Sequence, residues 1–316
     1  MEAAGGAGRL QDALQSAGAR HGAVAYRVAG SGPDVCAWGS VSGGSVFEAG
    51  SVTKAVTGLL LALAIDAGEV SSSDRLDRFV PGTGPAGGAT LAELATHTSG
   101  LPRLPAATLL RALAHPGDPY RGVSLPRLIR DTRRVRPGRP GRAAYSNLGV
   151  ALLGHALAAA ATVPYWDLAR IRVLTPLRMT SSGDMPKSAL AAPRKAWNLG
   201  AFAPAGGLRA TVDDLLRLAW VAARPSESPF PAAAVDALTP HAAMNNGYVG
   251  WCWMLGTQAN RPDAWHNGAT GAGWAFIGAN NSRAIAACVP ASHQATWDTA
   301  ALQALRSTDD VGIGTE

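Results

Sequence analysis

Cysteine, lysine and long apolar runs are all scarce in this chain. The three cysteines, Cys36, Cys252 and Cys288, are an odd number with no close spacing. That excludes a disulfide framework or a cysteine zinc site and fits free thiols in a reducing compartment. His21, His97, His115, His155, His241 and His293 show no metal-ligand spacing, so neither a metal nor another cofactor is expected. No stretch reaches the roughly 18 apolar residues of a membrane span, and the longest, 150–163, is broken by Gly154 and His155. The opening Met1-Glu2-Ala3-Ala4-Gly5-Gly6 has neither a basic leader nor an apolar segment, so no secretory signal is read and a cytoplasmic location is expected. Charged residues are 16% of a chain that is 47% apolar, a balance that describes a compact globular protein and excludes wholesale disorder. Its 316 residues suffice for one large domain or two intimate ones.

Of the three lysines, Lys54, Lys187 and Lys195, only Lys54 has a serine three residues ahead of it. Gly50 precedes Ser51-Val52-Thr53-Lys54, and an apolar run including Val56, Leu59, Leu60, Leu61 and Ile65 follows, which predicts a buried helix ending near Gly68. Residues i and i+3 share a helix face one turn apart, so the Lys54 amine reaches the Ser51 hydroxyl. At a helix N-terminus, free N–H groups and the helix dipole favour developing negative charge. Four residues thus supply a nucleophile, a base and a favourable field.

Leu10, Ala13, Leu14 and Ala17 recur at helical spacing and predict an N-terminal helix. Strands are predicted over 22–28 and 35–41, joined by the turn-forming residues 30–34. Helix-like segments and Pro/Gly loops then extend to about residue 200. Thr211-Val212-Asp213-Asp214, a hydroxyl cap followed by first-turn acids, opens a helix to Ala223. Strands are predicted over 248–255, 273–279 and 284–289, a closing helix over 293–306, and a disordered polar tail over 307–316. Strands at both ends with helices between them predict a discontinuous α/β domain, 1–68 and 201–306, with a helical domain, 69–200, inserted into it.

Two further clusters carry chemistry. In Tyr145-Ser146-Asn147, an extended backbone sends Tyr145 and Asn147 to one side, a phenol to relay a proton and an amide to hold a substrate carbonyl. The competing reading is a helix cap made by Asn147, with Tyr145 packed. In His266-Asn267-Gly268-Ala269, Gly268 permits close backbone approach, the Ala269 N–H is a candidate donor, and His266 is placed to polarise a substrate or move a proton. The alternative there is a surface turn between strands. Ser99, in His97-Thr98-Ser99-Gly100, reads as part of a structural turn. Of the tryptophans in the last third, most are expected in the core.

The net charge of +6 is concentrated. Eight arginines (Arg121, Arg127, Arg130, Arg133, Arg134, Arg136, Arg139, Arg142) stand against one acid, Asp131, within 22 residues. This is either a solvated face or a receptor for an anionic substrate or acidic carrier protein, placed to rim a cleft. Without interleaved aromatics or a recognition motif, nucleic acid is not expected, nor is a membrane partner.

Ser51-Val52-Thr53-Lys54, Tyr145-Ser146-Asn147 and His266-Asn267-Gly268, in that order, resemble the motifs of the serine β-lactamase and penicillin-binding protein superfamily, in its class C β-lactamase-like branch of esterases and transacylases. Residues 94–102 and Ala205-Gly206-Gly207-Leu208 through Asp213-Asp214-Leu215 match accessory signatures, so the resemblance covers about residues 20 to 305. It implies an α/β fold in which an antiparallel sheet is flanked by helices, with a mostly helical second domain and the site between them. It also implies Ser51 as nucleophile, Lys54 as general base and Tyr145 in proton transfer. Asn147, His266, Asn267 and Gly268 would bind substrate, and the Ser51 and Ala269 N–H groups would form the oxyanion hole. Two features depart from the pattern: histidine stands at 266 where β-lactamases and peptidases usually have lysine, and the 121 residues from Tyr145 to His266 are few for the branch.

The expected function is therefore that of an intracellular serine hydrolase that cleaves an ester or amide of a small metabolite through an acyl-Ser51 intermediate. Two alternatives stand beside it: a transacylase of a natural-product pathway passing the acyl group to an amine, alcohol or thiol, and a binding or sensor protein that does not turn over.

Overall fold

The computed structural model describes residues 5–257, 263–291 and 293–307. Its α-helices are α1 (Gly6–Ser16), α2 (Thr53–Asp66), α3 (Leu91–Ala95), α4 (Ala106–Ala114), α5 (Leu125–Thr132), α6 (Asn147–Ala160), α7 (Tyr165–Ala169), α8 (Ala203–Gly206), α9 (Val212–Ala223), α10 (Pro231–Ala237) and α11 (Ala295–Arg306). The strands are β1 (Gly22–Val28), β2 (Asp34–Trp38), β3 (Phe47–Glu48), β4 (Arg209–Ala210), β5 (Ala242–Met244), β6 (Gly247–Val249), β7 (Met254–Leu255), β8 (Ala264–Ala269), β9 (Trp274–Ala279) and β10 (Arg283–Val289). One eight-stranded sheet has the order β2-β1-β10-β9-β8-β7-β6-β5, and every neighbouring pair is antiparallel. The fold is α/β, an antiparallel sheet flanked by helices. Among the described residues, 69–200 contribute no strand to that sheet.

The two-residue side-chain period of strands divides the sheet between two cores. Ala23, Ala25, Ala275, Ile277, Ala284 and Ala286 face a large cluster with Leu59 and Leu60 of α2, Leu152 of α6 and Leu215 of α9. Their neighbours Val24, Tyr26, Trp274, Phe276, Ile285 and Ala287 face a smaller cluster with Leu10 and Leu14 of α1 and Trp297 and Leu305 of α11. Small alanines on the first face let the apolar α9 lie close against the central strands β1, β9 and β10. Helix α2 has no polar face: it packs against α6, α8 and α10, and Lys54 is as buried as its leucines.

Several elements differ from the sequence reading. The strand read over 35–41 is Asp34–Trp38. The run 248–255 splits into β6 and β7, because the chain between them turns through Cys252 at φ +61°. Strand β5 was not anticipated, and His266-Asn267-Gly268-Ala269 is a strand rather than a surface turn, paired along its length with β9. The closing helix starts at Ala295, and of the tail expected to be disordered, residues 308–316 lie outside the described residues.

The turn at Cys252 packs onto α2 at Gly58, where an added Cβ would lie 1.8 Å from the Trp251 carbonyl oxygen. Gly→Ala in a helix ordinarily stabilises by about 1 kcal/mol. A backbone clash in a close-packed interior reverses that sign, with overpacking costing about 1–3 kcal/mol. We predict that Gly58→Ala lowers the urea midpoint of unfolding; an unchanged or raised midpoint would show that the turn does not bear on α2.

Candidate active site

Ser51 lies in a 3-10 turn, Gly50–Val52, that runs directly into α2. Three sets of contacts clamp this turn to the segment around β4. Phe47 and Glu48 pair with Ala210 and Arg209. The Ala49 N–H donates to the Leu208 carbonyl at 2.8 Å. The Thr53 hydroxyl donates to the Gly50 carbonyl at 2.6 Å and accepts from the Leu208 N–H at 2.9 Å.

On its other side the turn meets β8, backbone against backbone. A Cβ on Gly268 would lie 2.0 Å from the Ala49 carbonyl oxygen and 2.6 Å from the Ser51 nitrogen. A Cβ on Gly50, which sits at φ +52°, would lie 2.7 Å from the Ala269 nitrogen. Only glycine fits at either position. The Thr270 N–H donates to the Gly273 carbonyl, which sets the phase of the β8–β9 ladder. N–H groups alternate sides along a strand, so the Ala269 N–H points off the opposite edge of β8. There β7 no longer flanks β8, since the β7 residue paired nearest to Ala269 is its first, Met254, opposite Trp265. The Ser51 and Ala269 nitrogens thus lie at the same backbone contact, where β8 meets the nucleophile turn.

The Lys54 amine is fully buried, 2.8 Å from the Ser51 hydroxyl oxygen and 2.6 Å from the Ala205 carbonyl. Burial above all, assisted by the Arg103 charge, lowers its pKa from 10.5 to about 7. Cys252 opposes that shift only as a thiolate, and burial pushes its own pKa up to about 12, so near pH 7 it is a neutral neighbour. The Tyr145 phenol hydrogen-bonds Ser51, and burial drives its pKa well above the ordinary value, so it keeps its proton. The site therefore holds a largely neutral amine and a protonated phenol around one hydroxyl, the pairing general base and general acid require.

Both nearby histidines are neutral for the same reason. Burial, then the Lys54 charge, lowers His266 and His97 each to about 3. The His266 Nδ1 lies 2.6 Å from the Asn267 carbonyl, so it donates, leaving Nε2 as an acceptor. His97, at φ +61°, accepts from the Ser146 N–H through Nδ1 and from the Ala144 N–H through its carbonyl. Its ring lies 4.6 Å from that of Tyr145, so His97 positions the phenol.

The structure places Ser51, Lys54, Tyr145, Asn147, His266, Gly268 and Ala269 around one site. The cap of α6 is Ser146, whose hydroxyl accepts from the Gly149 N–H, so Asn147 is free of that duty. Its amide donates to the Tyr120 hydroxyl at 3.1 Å, and its Oδ1 is buried without a partner. Asn267 lines the larger cavity beside Ser51 and faces away from His266, as adjacent strand residues do; its amide is held by Asp298, which also accepts from Trp274. Ser99 accepts the Leu101 N–H within its turn.

Two cavities meet at Ser51. The larger, about 560 Å³, is lined by Tyr145, Asn245, Tyr248, Trp265 and Arg306 among others; the smaller, about 90 Å³, by Tyr120, Asn147, Trp197 and Phe202. Ser51, Ala269 and Arg103 line both. None of the eight arginines of 121–142 lines either one, so that segment does not rim the cleft as expected; Arg130, Arg134 and Arg136 instead edge a separate depression with Leu109 and Leu110. Sequence reasoning missed Arg103, one residue beyond a recognised run, along with Tyr120 and the role of the Ala205 carbonyl.

Residues 9–306 match the Beta-lactamase family. The chain belongs to that family. The solved class C β-lactamase from Rhodobacter sphaeroides shares its fold at TM-score 0.80 and 18% identity, covering 94% of this chain and 98% of that one. The β-lactamase/D-alanine carboxypeptidase from Pseudomonas syringae does so at TM-score 0.80 and 16% identity, covering 95% and 98%. By sequence the chain is 33% identical over 192 residues to the Escherichia coli K12 D-alanyl-D-alanine-carboxypeptidase/endopeptidase AmpH, covering 55% of this chain. The matched region spans about half (48%) of that relative's length. Family and fold make the chain a serine hydrolase-type enzyme.

We predict that acylation of this family member by a neutral ester rises tenfold per pH unit below about 7 and levels off above it, as the Lys54 amine loses its proton. Both histidines stay neutral across that range and add no second limb. Lys54→Ala and Tyr145→Phe should each remain folded by circular dichroism yet acylate at least about 10²-fold more slowly. Unimpaired acylation in either folded variant would place the base or acid elsewhere.

Proposed function

We propose that this enzyme cleaves an ester or amide of a small metabolite through an acyl-Ser51 intermediate that water discharges. One observation carries the reading: a lysine amine brought to about pKa 7 lies 2.8 Å from a serine hydroxyl. Lys54 takes the Ser51 proton as the Oγ–carbon bond forms. The Ser51 and Ala269 N–H groups receive the oxyanion, at about 3–4 kcal/mol per well-placed donor. As the scissile carbon–oxygen or carbon–nitrogen bond breaks, the Tyr145 phenol protonates the leaving group and recovers a proton from Lys54, whose Nζ is 4.9 Å from its ring centre.

The two cavities then take different parts of the substrate. Tyr145, the proton donor, lines only the larger one, so the leaving group belongs there and the acyl chain in the smaller. At about 90 Å³ against about 560 Å³, the acyl cavity is much the smaller of the two and suits a short acyl group. That size disfavours the peptide chemistry named for AmpH. Acyl transfer is the second reading, favoured by the larger cavity, which has room for an amine or alcohol to replace water after the leaving group departs.

Intact-mass spectrometry with peptide mapping tests the proposal. 4-Nitrophenyl acetate should add one acetyl group to Ser51, and Ser51→Ala should take none; labelling at Ser99 instead would sink the assignment. The octanoate ester should acylate at least about tenfold more slowly than the acetate, since overfilling a packed site costs about 1–3 kcal/mol. Equal rates would overturn the division of the cavities.

A further inference from the structure

One short helix turns an apolar face to solvent. Leu109, Leu110 and Leu113 of α4 are 56%, 68% and 75% exposed, and no other helix among the described residues shows more than one large apolar side chain to such a degree. At about 100° per residue, these three positions fall on one face. Three leucines gathered on a nine-residue helix form a patch rather than a scatter, and a patch marks a contact surface.

The charge beside that patch has one sign. Leu104, Leu109 and Leu110 line a depression of about 680 Å³ together with Arg130, Arg134 and Arg136. Its one acid, Asp131, is already held: the Arg111 Nη2 donates to its carboxylate at 2.8 Å, and the Arg127 Nε lies 3.9 Å away. Arg130, Arg134 and Arg136 are exposed, and among the described residues no carboxylate lies within ion-pair distance of them. The basic segment that stays out of both catalytic cavities therefore flanks an apolar hollow.

Charge and shape choose between the occupants of such a face. A second copy of the chain meeting it face to face would set arginines against the same arginines. An anionic bilayer takes apolar side chains that project past their cationic neighbours, and it leaves a hollow of this size unfilled. A helix of another protein fills it, because the side-chain ridge of one helix seats in the groove beside another. Acids flanking the apolar stripe of that helix then meet the uncommitted arginines.

We infer that the depression beside α4 and the end of α5 is a docking site for a partner protein, which presents an amphipathic helix with acidic residues beside its apolar stripe. Pro102 and Leu104 line the depression and Arg103 between them lines both cavities at Ser51, so the docked helix sits next to the catalytic cleft. The inference is independent of the acyl-Ser51 reading.

Fluorescence polarisation tests it with a synthetic probe: a labelled, side-chain-stapled helix of about three turns, with leucine on one face and glutamate on its flanks. The protein should bind this probe at least about tenfold more tightly than one with the same residues shuffled around the helix, by a margin that shrinks as salt rises. Leu109→Gln with Leu110→Gln, and separately Arg130→Gln with Arg134→Gln and Arg136→Gln, should each weaken binding at least about tenfold. All five side chains are exposed and away from the cleft, so labelling of Ser51 by 4-nitrophenyl acetate should be unchanged and shows that the variants are folded. No measurable binding, equal affinity for the shuffled probe, or binding that survives either set of changes refutes the site. Sedimentation with phosphatidylglycerol vesicles that both sets abolish and the probe does not compete away overturns it in favour of a membrane. A dimer in analytical ultracentrifugation that the leucine changes dissociate overturns it in favour of a second copy.

Discussion

A lysine amine enclosed by α2, α8 and the Cys252 turn, with one hydroxyl and one carbonyl as partners, cannot hold its proton as a solvated lysine does. The rest of the reaction centre is arranged around that constraint. Near pH 7.5 an ordinary lysine is neutral in about one molecule per thousand, whereas a pKa of about 7 makes the neutral form the majority. The same burial acts in opposite directions on its neighbours: it strips protons from the histidines and holds them on Tyr145 and Cys252. A single physical cause, exclusion of water, thereby divides the roles of base and acid between two groups that would both be protonated in solution.

That enclosure is built from pieces far apart in the chain. Ser51 and Lys54 come from the start of α2, Tyr145 from the approach to α6, the Ala205 carbonyl from α8 and the Ala269 N–H from the end of β8. The two glycines at the contact of β8 with the nucleophile turn leave room for nothing else. Their role is steric rather than conformational alone: Gly268 is held in extended pairing with β9 and is required because another backbone passes beside it.

How much of this was legible depended on the range of the interaction. Ser51 and Lys54 could be paired from sequence because three-residue spacing is a local geometric fact, and β1, β9 and β10 because runs of small and β-branched residues mark buried strands. Strand β8 was not legible: Ala264–Ala269 contains histidine, asparagine and glycine, weak strand formers held extended by pairing with β9 along the strand and with β7 at its start. Missing the strand also hid that His266 and Asn267 face opposite ways. The charge of 121–142 was plain, but which surface it occupies is a tertiary fact, and the arginines that line the cleft, Arg103 and Arg306, lie outside that cluster. Of the last-third tryptophans, Trp265 reaches the large cavity while Trp274 and Trp297 pack in the core.

The pairing of β1 with β10 has a consequence for how the chain is made. Residues 22–28 lie in the interior of the sheet only when residues 283–289 are present to flank them, so the ladder closes across nearly the whole polypeptide. Contacts of such separation are among the slowest to form. During synthesis at about 5–20 residues per second, α2, whose surface is apolar almost all round, would leave the ribosome roughly 10–40 seconds before β10. Its leucines are covered in turn by α6, α8 and α10, all of which precede β10, whereas β1 lacks its inner neighbour until β10 follows. Removing β10 would expose the centre of the sheet rather than trim its edge.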